Sequence, residues 1–192
     1  LTIKRGAKRV ITEIIIEADQ LDTYRDNGVL NVNSTNSDEI KNHLLATGCW
    51  AFIKQRPYDV IANPDVKPKA IFISALTTAP LSADYDFTLL GKENELQAAV
   101  TAFSKLTDGK VNVSVGENSK SVFEGLNDIT VHKMSGVHPA GDVGTLINKV
   151  DPVNKGEVDW TVTPQGLVII GTLFLTGKFN AKRVIALSGS SL

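Results

Sequence analysis

Residues 69–187 predict an α/β domain built on a parallel, Rossmann-like sheet. Strand-like and helix-like stretches alternate along this region, which is the signature of βαβ units. Its first strand, Lys69-Ala70-Ile71-Phe72-Ile73-Ser74-Ala75, is apolar on both alternating faces, as a strand covered by helices on both sides must be. Apolar residues make up 42% of the 192-residue chain, enough for a sizeable core.

The elements follow in chain order. Residues 10–17 are β-branched and end in charge, and they read as a strand. Gly6 and the basic residues Lys4, Arg5, Lys8 and Arg9 precede it, either facing an acidic partner or solvating a strand end. One strand is no domain, so its sheet partners are expected in a part of the protein outside this chain. Residues 18–37 are polar and rich in Asp and Asn, and they read as a linker or an irregular crossing. Asn36 or Ser37 caps a helix over 38–47, with Asp38 and Glu39 in its first turn and Gly48 stopping it. Cys49-Trp50-Ala51-Phe52-Ile53 is an apolar knot, followed by Arg56-Pro57-Tyr58. Arg56 is suited either to gripping a carboxylate or phosphate or to capping nearby carbonyls.

Two loops stand out as ligand candidates. Residues 77–84, Thr-Thr-Ala-Pro-Leu-Ser-Ala-Asp, directly follow the strand over 69–75. In an open α/β sheet ligands bind just beyond the carboxyl ends of strands, although an ordinary βα connection has the same place. The second loop places Gly136, Gly141 and Gly144, with His138, Pro139 and Thr145, between a strand over 129–134 and a helix over 145–150. Glycines there admit positive φ and close approach of a ligand or another chain segment, and the N–H groups opening the helix are free for a polar ligand edge. A structural turn is the other reading. The spacing of five and then three is not G-x-G-x-x-G, and no Lys-Ser/Thr follows Gly144 as in a Walker loop.

Between the loops, residues 93–106 carry an apolar stripe of Leu96, Ala99, Val100, Phe103 and Leu106, a clear helix. Residues 110–115 alternate as a strand, and 119–123 read as a brief helix. Beyond the second loop, residues 158–162 form a short strand. Thr163-Pro164 then opens a buried helix that runs to Thr176 and closes at Gly177. Residues 183–187 read as a last strand.

Several function classes are excluded or left without support. A net charge of −1 lacks the basic footprint of a nucleic-acid binder. No apolar run approaches a membrane span. Cys49 is the only cysteine, so no disulfide forms within the chain and no thiolate cluster is available. His43, His132 and His138 fall at no metal-ligand spacing, and no metal is expected. There is no G-x-S-x-G, no H-E-x-x-H and no telling pair of carboxylates. His138 is suited to proton transfer near neutral pH or to a backbone hydrogen bond before its proline. No catalytic residue is assigned.

Several motifs recur together and in order. They are Gly48-Cys49-Trp50 with Arg56-Pro57, then Thr78-Ala79-Pro80-Leu81-Ser82-Ala83-Asp84, then Gly136-Val137-His138-Pro139-Ala140-Gly141 with Gly144-Thr145. Asp151-Pro152-Val153 follows, then Ile170-Gly171-Thr172-Leu173-Phe174-Leu175-Thr176-Gly177, and last Arg183-Val184-Ile185-Ala186-Leu187. In this order they resemble the A subunits of the bacterial sodium-translocating NADH:quinone oxidoreductases. The resemblance implies that residues 1–20 end an N-terminal barrel-sandwich domain like biotinyl and lipoyl carriers, that 21–36 link, and that 37–192 form a Rossmann-like domain related to the flavin-binding subunit of respiratory complex I. It also implies β-grasp and helical domains after residue 192, so both ends of the chain read as cuts within a longer protein.

The same resemblance implies a peripheral subunit on the cytoplasmic face of the bacterial inner membrane, with the other subunits as partners, especially the membrane-embedded ones. The complex oxidises NADH, reduces ubiquinone and pumps sodium. Its flavins and iron–sulfur centres lie mainly elsewhere, so the chain itself is expected to hold no cofactor. Residues 75–80 contain no glycine, which hinders backbone approach to a flavin phosphate. The implied role is therefore assembly and quinone access, with Gly136, His138, Pro139, Gly141, Gly144, Thr145, Thr78 and Asp84 as the quinone or ligand loop residues. The alternatives are a pure scaffold, or an FMN- and NADH-binding electron-entry module like the C subunit of Rnf-type complexes.

Overall fold

The computed structural model describes residues 2–7, 10–17, 21, 23, 25–185 and 187. Leu1, Lys8, Arg9, residues 18–20, Asp22, Tyr24, Ala186 and residues 188–192 belong to expectations above and lie outside the described residues.

The core is a six-stranded mixed sheet. Its strands are β3 (Lys54–Arg56), β4 (Val60–Ile61), β5 (Ile71–Ser74), β6 (Val111–Gly116), β7 (Thr130–Met134) and β8 (Asp159–Thr161), in the spatial order β4-β3-β8-β5-β6-β7. The four strands β8-β5-β6-β7 are parallel, while β3 runs antiparallel to both β8 and β4. The expected all-parallel sheet is thus corrected by an antiparallel edge. Lys54-Gln55-Arg56 is too short and polar to announce a strand, yet a local hairpin can add it to the edge without a crossover. Gln55 pairs Val60 on one side and Trp160 on the other.

Helices cover both faces of the sheet. α1 (Ser37–Thr47), α3 (Glu93–Ser104) and α5 (Pro164–Thr176) share one core cluster with Ile71, Ile73, Val111, Val113 and Val115. α4 (Val143–Val150) covers the other face through Leu146 and Ile147, packed with Ala70, Phe72 and Met134. Ile71, Phe72 and Ile73 are all fully buried, which is what apolarity on both faces of β5 requires.

Local signals set the helix ends. Asn36 accepts from the Glu39 N–H while Glu39 reaches back to the Asn36 N–H, a capping box, and Gly48 closes α1 in the left-handed region. Thr163 accepts from the Gly166 N–H to cap α5, Pro164 takes its first position and Gly177 ends it at φ 69°. The brief helix expected at 119–123 is instead a 3-10 turn at Val122–Gly125, and a second such turn occupies Cys49–Phe52. A short α2 (Tyr85–Thr88) was not legible in the sequence, because four residues carry no period.

Two further points differ from expectation, at residues 10–17 and at residues 183–187, while the segment from Asn27 follows the irregular crossing that the sequence also allowed. β2 (Ile11–Ile15) pairs antiparallel with β1 (Thr2–Arg5), so its partner lies within the chain, directly before it. Part of the basic cluster is that strand: Lys4 sits opposite Glu13 in an exposed ion pair of 2.6 Å. The chain from Asn27 is bound to the domain, since Asn27 N donates to Gly177 O, Leu30 N donates to Phe174 O, and Lys105 Nζ holds the carbonyls of Val32, Asn33 and Thr35. Residues 183–185 and 187 form no strand among the described residues, because no neighbouring strand edge pairs with them.

Candidate functional site

The chain leaves β5 at Ser74 and β8 at Thr161, side by side and in the same direction. β6 and β8 lie on opposite sides of β5, so the connections diverge there and leave a crevice beyond the carboxyl ends of the strands. The two loops singled out in the sequence meet at this crevice. Gly141 N donates to Thr78 Oγ1 at 2.9 Å, and Ser74 Oγ donates to Gly141 O at 2.6 Å. Ser114 on β6 supports Ser74 through a 3.0 Å hydroxyl contact. A Cβ on Gly141 would stand 2.6 Å from Leu76 O and 2.8 Å from Thr78 N, so only glycine lets the loops approach this closely.

The result is a cleft of about 780 Å³. One wall is Leu76, Thr77, Thr78, Ala79 and Ser82, with Tyr85 of α2, whose hydroxyl donates to Gln165 Oε1 at 3.2 Å. The chain from Gly141 to Thr145, which enters α4, continues the lining from Thr78. Thr161, Val162, Thr163 and Pro164 after β8, and Ala51, Phe52, Lys54, Arg56 and Asp59 around β3, complete the lining. The volume falls in the range of small-molecule sites, and apolar walls with a few convergent polar groups are their usual make-up.

Of the sequence-predicted site residues, Thr78, Gly141, Gly144 and Thr145 line this cleft. Gly136, His138, Pro139 and Asp84 do not. His138 is exposed beside it, with Nδ1 3.4 Å from Thr78 Oγ1. Pro139 O accepts from Thr145 Oγ1 at 3.0 Å, and Gly136 takes φ 142°. Asp84 caps α2 by accepting from Asp86 N at 2.8 Å. Sequence reasoning missed Lys54, Asp59, Phe52 and Tyr85. The one available signal was Lys54-x-Arg56: on a strand, residues two apart share a face.

A second polar cluster lies at the amino ends of β5 and β8. Lys69 Nζ donates to Asp151 Oδ1 at 2.6 Å, Glu157 Oε2 at 2.9 Å and Pro152 O at 3.1 Å, which uses all three of its protons. The two carboxylates hold the Lys69 ammonium well above its ordinary range. Asp159 is fully buried beside them. Its Oδ1 accepts from Ala70 N at 3.1 Å, and its Oδ2 has no partner. Burial pushes this carboxyl up to about 6, against the opposing pull of the Ala70 N–H and Lys69. Among the described residues, no group of three or more His, Cys, Asp or Glu is placed to hold a metal ion, and no helix is long and apolar enough to cross a membrane.

Residues 35–179 match the family model described as the NqrA second alpha/beta domain. The A subunit of the Na(+)-translocating NADH-quinone reductase of Alcanivorax borkumensis is 35% identical over 192 residues, 98% of this chain and 43% of that protein. The proteins of the same name from Yersinia pestis (33% over 189 residues, 97% and 42%) and Neisseria meningitidis serogroup B (32% over 195 residues, 99% and 43%) are similar to the same extent. The chain therefore spans somewhat under half the length of these relatives.

Proposed function

The chain belongs to the family of the NqrA second α/β domain, and from that premise we propose that it is the corresponding part of the A subunit of a sodium-translocating NADH–quinone reductase. The observation that carries this reading is similarity running through nearly the whole chain, in proteins that share one name. The chain serves an oxidoreductase that couples electron transfer from NADH to quinone with sodium transport. Its partners are the other subunits, above all the membrane-embedded ones. It sits peripherally on the cytoplasmic face of the membrane.

Within that assembly the domain supports the complex and gives ubiquinone access at the cleft between its two loops. The complex's flavins and iron–sulfur centres are held mainly by other subunits. The glycine-free stretch 75–80, whose residues 76–79 line the cleft, is the reason the FMN- and NADH-binding alternative is not adopted. The parallel strands β8-β5-β6-β7 fit kinship with the Rossmann-like domain of complex I. The β1–β2 hairpin fits the end of a barrel-sandwich domain, and β-grasp and helical domains follow in the longer protein.

Two measurements test this. Deleting the gene that encodes the chain should abolish sodium-stimulated NADH:quinone reductase activity in membranes of its host, and a wild-type copy should restore it. Undiminished activity in the deletion would sink the assignment. Titration of the chain with a soluble short-chain ubiquinone, followed by Trp50 and Trp160 fluorescence, should give saturable quenching. Linear quenching would leave the domain as scaffold alone.

A further inference from the structure

Arg56 is placed where an arginine does more than decorate a surface. It ends β3 and lines the cleft with Lys54, two residues earlier on the same strand face. Its side chain is 28% exposed. Its one hydrogen bond among the described residues runs from Nη1 to Asp59 Oδ1 at 3.3 Å. A guanidinium has five donors in a planar fork, matched to the two oxygens of a carboxylate or phosphate. One long contact to Asp59, whose side chain is 61% exposed, leaves most of that fork for another acceptor.

The guanidinium also packs against the start of α4. A Cβ on Gly144 would stand 3.3 Å from Arg56 Nη2, so the guanidinium lies against a residue with no side chain to displace it. The charges are also distributed unevenly. The two cations of the cleft, Lys54 and Arg56, are half-buried, while its two carboxylates, Asp59 and Asp142, are more exposed. Solvated carboxylates are screened within a Debye length, whereas half-buried cations are screened less. The cleft therefore attracts negative charge inward although its formal charges cancel. Phe52, Leu76 and Val162 give apolar contact.

We propose that the cleft binds a small ligand by an oxyanion group, phosphate or carboxylate, gripped by Arg56 with Lys54 beside it and with the ligand's apolar body against Phe52 and Leu76. This rests on the reading of the cleft as a ligand site, but it does not require that ligand to be a quinone, whose ring oxygens carry no charge.

The test is a titration of the ¹⁵N-labelled chain with phenyl phosphate, benzoate and the neutral benzyl alcohol, read at the backbone amides of Thr78, Gly144 and Thr145. Phenyl phosphate or benzoate should move these amides saturably, and benzyl alcohol should not. Whichever anion binds more tightly identifies the oxyanion as phosphate-like or carboxylate-like. Arg56→Gln should weaken binding about tenfold or more, the usual effect of losing a charge-assisted pair, and Arg56→Lys should weaken it less. Added salt should weaken it as well. Equal affinity in Arg56→Gln, equal response to benzyl alcohol, or no saturation with either anion overturns the proposal. Because Arg56→Lys keeps the charge and the stem, it decides the question if Arg56→Gln fails to fold. The same ubiquinone titration on Arg56→Gln separates the two readings. Quinone binding kept in Arg56→Gln while anion binding is lost supports the oxyanion site, and anion binding without quinone binding in the unsubstituted chain removes the quinone reading alone.

Discussion

At the scale of single residues, the fold changes the chemistry of Asp159. It is buried with one oxygen unpartnered, and its carboxyl is pushed from 3.8 to about 6. Above about pH 6 the folded and unfolded chains both carry the charge, and the folded one bears the burial penalty. Between that value and the ordinary aspartate range only the folded chain is protonated, so the penalty fades as pH falls. Asp159→Asn keeps an acceptor for the Ala70 N–H and removes the titration. Relative to the wild type, the variant should gain about 1–3 kcal/mol as pH rises from about 4.5 to about 7.5, measured by urea unfolding at each pH. A pH-independent difference between the two would rule out the raised carboxyl. Glu157 acts in the opposite sense and in a lower window. The Asn154 N–H and then Lys69 hold it below the usual carboxylate range, so its contribution is lost as pH falls below that range. None of this is legible in Val158-Asp159-Trp160-Thr161-Val162, where the aspartate reads as one polar residue in a short strand.

At the scale of elements, α3 and α5 pack with backbone against backbone at Gly171. Gly171 sits in α5 directly against the backbone of α3, and a Cβ there would fall 1.8 Å from Glu95 O. No side chain moves to relieve that contact, so the helices themselves must separate. Gly171→Ala should cost about 3 kcal/mol or more, at the upper end of overpacking effects, measured by denaturant unfolding. A loss below about 0.5 kcal/mol would show that the helices do not cross this tightly. The existence of both helices was legible. The stripe from Leu96 to Phe103 and the Thr163-Pro164 start with Gly177 as stop place them to within two residues. The reason for Gly171 was not, because a glycine inside an apolar helix only declares its purpose once its neighbour is known.

At the scale of the whole molecule, the β1–β2 hairpin stands apart from the six-stranded sheet. Every residue of both strands is exposed, including Ile3, Ile11, Ile14 and Ile15. A two-stranded hairpin with no covered face is marginal in water. In the chain by itself, its amides should exchange with solvent about a hundredfold or more faster than those of Ile73 and Val113 at the centre of the sheet. Equal protection would mean that another surface covers the hairpin. The central strands have the opposite character, since β5 is paired on both edges and covered on both faces.

The sequence by itself determined the elements with strong local signals: the capped helices α1 and α5, the striped α3, the apolar β5, and the two loops that carry glycine, proline and hydroxyl residues. Only the tertiary structure decided how they combine. It joined Thr78 to Gly141 across 63 positions, and it set the antiparallel edge that brings Lys54 and Arg56 into the cleft. It also left His138 and Asp84 outside the cleft and Asp159 buried. The physical reason is one of range. Caps, periodicity and turn residues act within a few positions of chain, so they are written locally. Outside the local β3–β4 hairpin, strand order and loop contacts in the sheet depend on pairings of two to five residues each, between segments separated in the sequence, and no local pattern specifies those.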